Sequence, residues 1–167
     1  MKKESVICYL GIGSNLGDKE YYCREAVRRI GAVSSTYFWK KSSIYKTEPA
    51  CLKDVPWFLN SVIGIKTTLV PVELLNNCQR IERELGRIRS YKDRYESRTI
   101  DIDILFYNDM IVNENDLTIP HPLLHKRRFV LAPLAEIAPD YLHPTLKKTI
   151  MELYKELDDK HKIIKEG

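Results

Sequence analysis

The chain has 167 residues, 44% of them hydrophobic and 30% charged, with a formal net charge of +4. That length suits one domain, residues 1–167, able to bury a core without disulfide or metal staples. The charge is too small to argue for nucleic-acid binding and suits a small anionic substrate, and no apolar run is long enough to span a membrane.

The four cysteines, Cys8, Cys23, Cys51 and Cys78, form no C-x-x-C pair and share no zinc spacing with the histidines. The N-terminal apolar run is short and cut by glycines, so no signal peptide is read there. Reduced cysteines in a cytoplasmic protein are the expectation.

In chain order, "SVICYLGIG" reads as a strand running into a glycine turn. The turn "GIGSNLG" lacks the G-x-G-x-x-G spacing, and Ser14, Asn15 or Asp18 is expected to cap the helix that follows. "DKEYYCREAVRRIG" has Tyr22, Ala26, Val27 and Ile30 on one helical face and a stop at Gly31. "TYFWKKSSIYKT" is β-branched and aromatic and predicts one strand. "FLNSVIGIKT" sets Leu59, Ser61, Ile63 and Ile65 against Phe58, Asn60 and Val62, another strand. "PVELLNNCQRIERELG" starts a helix at Pro71 and stops it at Gly86, with a stripe of Leu74, Leu75, Cys78, Ile81 and Leu85. A polar, basic loop, "RIRSYKDRYES", leads into the strand "RTIDIDILFY". Strand, helix, strand, strand, helix, strand is the ferredoxin-like βαββαβ pattern, an α+β fold with an antiparallel sheet. The tail adds further helices and short strands, ending in an amphipathic helix with Leu146, Ile150, Leu153, Tyr154 and Leu157 on one face.

The strand at residues 98–107 carries the first chemical signal. Residues i and i+2 lie about 6.5–7 Å apart on one face of a strand. Asp101 and Asp103 therefore share a face with Thr99 and Leu105, while Ile100, Ile102, Ile104 and Phe106 take the core face. Two neighbouring carboxylates repel unless a positive charge sits with them. Mg²⁺ suits them, being a hard ion that binds one or two carboxylates together with substrate phosphates. A solvated strand face paired with Arg or Lys is the other reading. Arg87, Arg89, Lys92, Arg94 and Arg98 precede the strand, and His121, His125, Lys126, Arg127 and Arg128 follow it. Basic segments on both sides of an acidic strand suit a polyphosphate. The chain has no G-x-x-x-x-G-K-[ST] loop, so a nucleotide would be held without one.

Seven stretches then line up in order: "GIGSNLGD", "SSIYKTEP", "FLNSV", "LLNNCQRIERELGRIR", "RTIDIDIL", "TIPHP" and "HKRRFVLAPLAEIAP". Together they make the chain resemble the 6-hydroxymethyl-7,8-dihydropterin pyrophosphokinases of folate biosynthesis, from about residue 5 to about residue 145. The resemblance implies transfer of the pyrophosphoryl group of ATP to the pterin hydroxymethyl group, giving AMP and the dihydropterin diphosphate. It implies two Mg²⁺ ions on Asp101 and Asp103, with Arg87, Arg89 and Arg98 also catalytic. On the pterin side it implies Thr47, Pro49, Ala50, Phe58, Asn60, Tyr95 and Phe129. On the ATP side it implies Gln79, Glu82, Arg89, Arg98, Ile104, Thr118, His121 and Arg127. Read from the residues alone, Glu82 would be a surface charge, His121 a structural histidine, and Phe58 and Phe129 core aromatics. The resemblance also implies that the loop carrying Arg87 and Arg89 closes over the substrates.

This chain departs from the family pattern at Tyr95 and Glu96, and in a bulkier loop holding Cys51, Leu52 and Trp57. These changes bear on loop closure and affinity, not on the reaction. A monomer acting on ATP and the pterin, with no nucleic acid or membrane partner, is expected. The alternative is a Mg²⁺-dependent nucleotidyl transferase or nuclease on a ferredoxin-like core. An RNA-binding module is disfavoured, because no aromatic pair sits on a glycine-rich strand.

Overall fold

Strand β1 (Val6–Ser14) lies inside the sheet because its side chains are apolar on both faces: Cys8, Leu10 and Ile12 point one way and Tyr9 the other. The structure, a computed structural model, describes residues 2–49, 54–88 and 97–166. The elements after β1 are α1 (Lys19–Gly31), β2 (Thr36–Lys41), β3 (Ile44–Thr47), β4 (Phe58–Thr67), α2 (Pro71–Glu84) and β5 (Asp101–Tyr107). Then come β6 (Val112–Glu114), β7 (Leu117–Ile119), a 3₁₀ turn at Leu124–Lys126, α3 (Arg128–Ile137), α4 (Ile150–Glu156) and β8 (Ile163–Glu166).

The main sheet is six-stranded and antiparallel, in the order β5-β1-β4-β3-β8, with β2 also on β4. Its first four places give the ferredoxin-like order expected from the element sequence. Helices α1 and α2 pack on one face, where Ala26, Ile30, Leu74, Cys78 and Ile81 meet Leu10, Ile63, Ile65, Ile102 and Ile104. Helices α3 and α4 cover the other face through Leu131, Leu134, Ile150 and Leu153 against Tyr9, Val62, Leu105 and Phe106. The helix signals act as read: the Asp18 side chain accepts from the Tyr21 N–H and caps α1, and Gly86 takes the left-handed φ of +85° just past α2.

Three expectations are corrected. The stretch 36–47 is two strands: at the break the Ser42 N–H still donates to the Val62 carbonyl at 2.9 Å, but the Val62 N–H turns to the Ser42 hydroxyl, also at 2.9 Å, so a side chain takes one place in the backbone ladder. Phe106 does not share the face of Ile102 and Ile104 but packs with Leu105 on the α3–α4 side. The cause is a β-bulge. Tyr9 pairs with Phe106 but Leu10 with Ile104, so Leu105 is an extra residue and the alternation reverses after it. The last helix begins only at Ile150, because the Thr149 hydroxyl caps it by accepting from the Glu152 N–H at 3.2 Å; Leu146 lies outside it. Beyond it the chain returns to the sheet as β8.

Ile102 is a core residue between two half-buried aspartates. Ile102→Ala should lower stability by about 2–5 kcal/mol, read from the denaturant midpoint. A loss below about 0.5 kcal/mol, the usual effect at a surface position, would show that the faces of β5 are misassigned.

Candidate active site

The site lies on the α3 side of the sheet, at the ends of β1, β4 and β5. A cavity of about 510 Å³ opens there. Of the residues singled out in the sequence, it brings together Thr47, Pro49, Phe58, Asn60, Arg87, Arg98, Asp101, Asp103, His121, Arg127 and Phe129. Gln79, Glu82, Ile104 and Thr118 do not line it: Glu82 is buried on α2, Ile104 is in the α1–α2 core, and Thr118 is exposed on the β6–β7 hairpin. Ala50, Arg89, Tyr95 and Glu96 lie outside the described residues.

Strand alternation puts Asp101 and Asp103 on the cavity face. Asp101 is held by two guanidinium groups: Arg87 Nη1 lies 2.8 Å from Oδ1 and Arg98 Nη1 3.1 Å from Oδ2. Arg87 is anchored in turn by Glu82 through a side-chain ion pair and by its own N–H, which donates to the Glu82 carbonyl at 3.0 Å. Glu82 is thus no surface charge; it reaches the site through Arg87. Among the described residues no hydrogen bond or ion pair reaches Asp103. Burial, then the Asp101 and Glu82 charges, push its carboxyl up to about 8, against the opposing pull of Arg127 and Arg87. A half-buried carboxylate under that pressure calls for a cation.

His121 is placed by the bulge, since its N–H donates to the Leu105 carbonyl at 3.0 Å. Burial, then the Arg127 charge, push its ring down to about 4, so it is neutral near pH 7. Its Nδ1 accepts from the Leu123 N–H at 3.2 Å, which leaves the proton on Nε2 as an uncharged donor.

At the other end of the cavity the Asn60 amide donates to the Thr47 hydroxyl at 2.6 Å. The amide lies so close over Gly13 that a Cβ there would come within 2.6 Å of Asn60 Oδ1, which explains the second glycine of "GIGSN". Arg127 and Phe129 enter from the start of α3, with the guanidinium carbon 5.5 Å from the ring centroid.

Lys126, singled out in the sequence only as part of the basic segment after the strand, also lines the cavity, as does Glu48, to which the sequence assigned no role. Asn15 does not cap α1. It is fully buried and ties three segments: its Nδ2 donates to the Ser97 hydroxyl at 3.2 Å and to the Pro56 carbonyl at 3.4 Å, and its Oδ1 accepts from the Arg98 N–H at 2.8 Å. Arg98 is therefore fixed by its backbone as well as by Asp101.

An antiparallel α+β enzyme acting on phosphates is the class that this sheet and its charged cavity define. The family model for 7,8-dihydro-6-hydroxymethylpterin-pyrophosphokinase (HPPK) matches residues 9–139. The chain belongs to that family. A 2-amino-4-hydroxy-6-hydroxymethyldihydropteridine pyrophosphokinase of Bacillus subtilis is 47% identical over 131 residues, 78% of this chain and 77% of that protein. One of the same description from Haemophilus influenzae is 41% identical over 160 residues, 96% of this chain and 98% of that protein. Among solved structures, a Plasmodium falciparum HPPK-DHPS triple mutant superposes with a TM-score of 0.74 at 18% identity, covering 93% of this chain and 44% of that one. The chain thus spans less than half of that protein, and this likeness speaks for the fold alone.

The Asp103 carboxyl makes a stability prediction. In the unfolded chain it ionises near its ordinary value of about 4, whereas in the folded, metal-free protein it keeps its proton to about 8. The folded state binds more protons in between, so stability falls as pH rises through that window. Urea midpoints in the presence of a chelator should show this fall, and Asp103→Asn should flatten it and stabilise the protein at pH 8. An unchanged pH profile in the variant would contradict the crowding of the carboxylates.

Proposed function

We propose that the chain transfers the pyrophosphoryl group of ATP to the hydroxymethyl group of 6-hydroxymethyl-7,8-dihydropterin, giving AMP and the dihydropterin diphosphate, as a step of folate biosynthesis. Membership of the family supports the reaction. The observation that carries the assignment to this site is the meeting, in one cavity, of an amide–hydroxyl pair with aromatic walls and a carboxylate pair ringed by arginines.

The pterin end would be read by Asn60 and Thr47, since an amide offers both a donor and an acceptor to the edge of a flat heterocycle. Phe58 and Phe129 would supply its apolar faces, with Pro49 beside them; Ala50 and Tyr95 are carried to the pterin side by the resemblance. Asp101 and Asp103 fit Mg²⁺, because their donors are hard carboxylate oxygens and Asp103 is short of positive charge. The reading takes two ions there; when bound, Mg²⁺ offsets phosphate charge and favours in-line displacement. Arg87 and Arg98, which now balance Asp101, would turn to the triphosphate once the carboxylate is otherwise neutralised, joined by Arg89 and Arg127. His121 would donate Nε2–H to a phosphate oxygen without adding a fifth positive charge to these four. Of the other residues that the resemblance puts on the ATP side, Glu82 acts by holding Arg87, while Gln79, Ile104 and Thr118 lie outside the cavity. Catalysis on this account is mostly positioning and charge stabilisation. The enzyme is read as a cytoplasmic monomer. No helix of the described residues is long and apolar enough to cross a membrane. The nucleotidyl transferase or nuclease reading gives the Asn60–Thr47 pair no task.

Nucleotide product analysis tests the reaction: AMP should form from ATP and Mg²⁺ only when the dihydropterin is present. ADP as product, or AMP without the pterin, would overturn it. Asp101→Ala and Asp103→Ala should each lower kcat by about a hundredfold or more while circular dichroism is unchanged, since loss even of outer partners of a metal ligand costs 10–100-fold. Near-normal turnover in either would remove that aspartate from the metal site. Asn60→Ala should raise the pterin KM by about tenfold and leave the ATP KM unchanged; the reverse pattern would assign the two ends of the cavity the wrong way round.

A further inference from the structure

The segment 159–166 follows the span matched by the family model, yet it reaches both walls of the cavity. On one wall, β8 pairs with β3 so that Ile163 lies opposite Thr47. Just beyond, the Glu48 N–H donates to the Lys162 carbonyl at 3.0 Å, and the Lys162 N–H donates to the Glu48 carboxylate at 3.0 Å. Thr47, Glu48 and Pro49 all line the cavity.

On the other wall, the Asp159 carboxylate accepts from the Arg128 N–H at 2.9 Å. Arg128 is the first residue of α3, and the residue in the capping position, Arg127, makes no side-chain cap. A carboxylate on an otherwise uncapped helix start is favourable. Here it comes from a residue 31 positions away in sequence. The capped N–H lies between Arg127 and Phe129, which together with Val130 line the cavity from the start of α3. Asp159 is itself fixed: its side chain is only 11% exposed, the His161 N–H donates to it at 3.0 Å, and the His161 ring pairs with it. Burial pushes its carboxyl up, but the Arg128 and His161 N–H groups and the His161 ring outweigh burial and hold it below its usual range.

From Asp159 to Ile163 the chain can stretch about 14 Å at most. The two walls cannot part further at these points without breaking a contact.

We propose that residues 159–163 form a strap that sets the spacing of the two cavity walls, with Asp159 a positioning residue for Arg127 and Phe129. The proposal rests on the pterin reading of the cavity. Asp159 touches no substrate on this account; it acts through the first turn of α3.

The test compares the full-length wild type with Asp159→Ala, Asp159→Asn and His161→Ala, using steady-state kinetics per folded enzyme and amide exchange at residues 128–131. Asp159→Ala should raise the pterin KM about tenfold, hold kcat within about twofold, and speed exchange of the Arg128 amide, as loss of an orienting partner does. Asp159→Asn keeps an oxygen for the Arg128 N–H and should restore most of the affinity. His161→Ala should give a smaller rise in KM, which keeps the strap testable if the alanine variant at 159 does not fold. A wild-type pterin KM together with wild-type exchange in Asp159→Ala would overturn the proposal. So would a lowered melting temperature with KM unchanged, since that is all a merely structural cap would produce. If the wild type makes no AMP with the pterin, the activity reading fails instead, and the exchange data alone still decide whether Asp159 fixes α3.

Discussion

Two carboxylates two residues apart on one strand cannot both be charged and half-buried unless positive charge is brought to them. Much of this structure is arranged around that constraint. Asp101 is balanced by Arg87 and Arg98, and Arg87 is itself held by the buried Glu82. Asp103 has no such balance among the described residues and is pushed toward its protonated form. A chain selected for stability alone would gain by an uncharged residue there. On the proposed function, the charge balance at Asp103 is completed from outside, by metal and phosphate.

The fold supplies the rest by small local departures. One extra residue, Leu105, reverses the face of β5 and turns its carbonyl to the His121 N–H. The same bulge therefore ends the acidic face, starts the second core with Phe106, and fixes a neutral imidazole at the cavity. Asn15 does a similar service at the end of β1, where one amide joins the approach to β4 to the approach to β5. Since Phe58 and Asn60 follow one approach and Arg98 the other, the two ends of the cavity are linked through a single buried side chain.

Much of this could be read in the chain itself. The element order gave the ferredoxin-like core, because each strand and helix carried a period of its own and the caps Asp18 and Gly86 marked the ends. The clustering of Asp101 and Asp103 followed from strand alternation, a local property. What stayed hidden depended on partners distant in sequence. A bulge is defined only against a neighbouring strand, so Phe106 was placed on the wrong face. Glu82 looked like a surface charge because its partner, Arg87, lies beyond the helix end. Asn15 looked like a cap because a short polar residue after a strand usually is one, and nothing local points to Arg98, 83 positions on. The strand "IIKE" at the end is too short to announce itself and is made a strand by the open edge of β3.

The central claim, that Asp103 is an acid waiting for external charge, can be measured at the carboxyl itself. Carbon-detected NMR titration of labelled aspartate side chains would follow Asp103 with and without Mg²⁺ and a non-hydrolysable ATP analogue. Titration well above the ordinary carboxylate range in the free protein, with a fall to that range, about 4 or below, in the complex, is the expected result. An ordinary value in both states, or a raised value that the metal and nucleotide leave untouched, would contradict it.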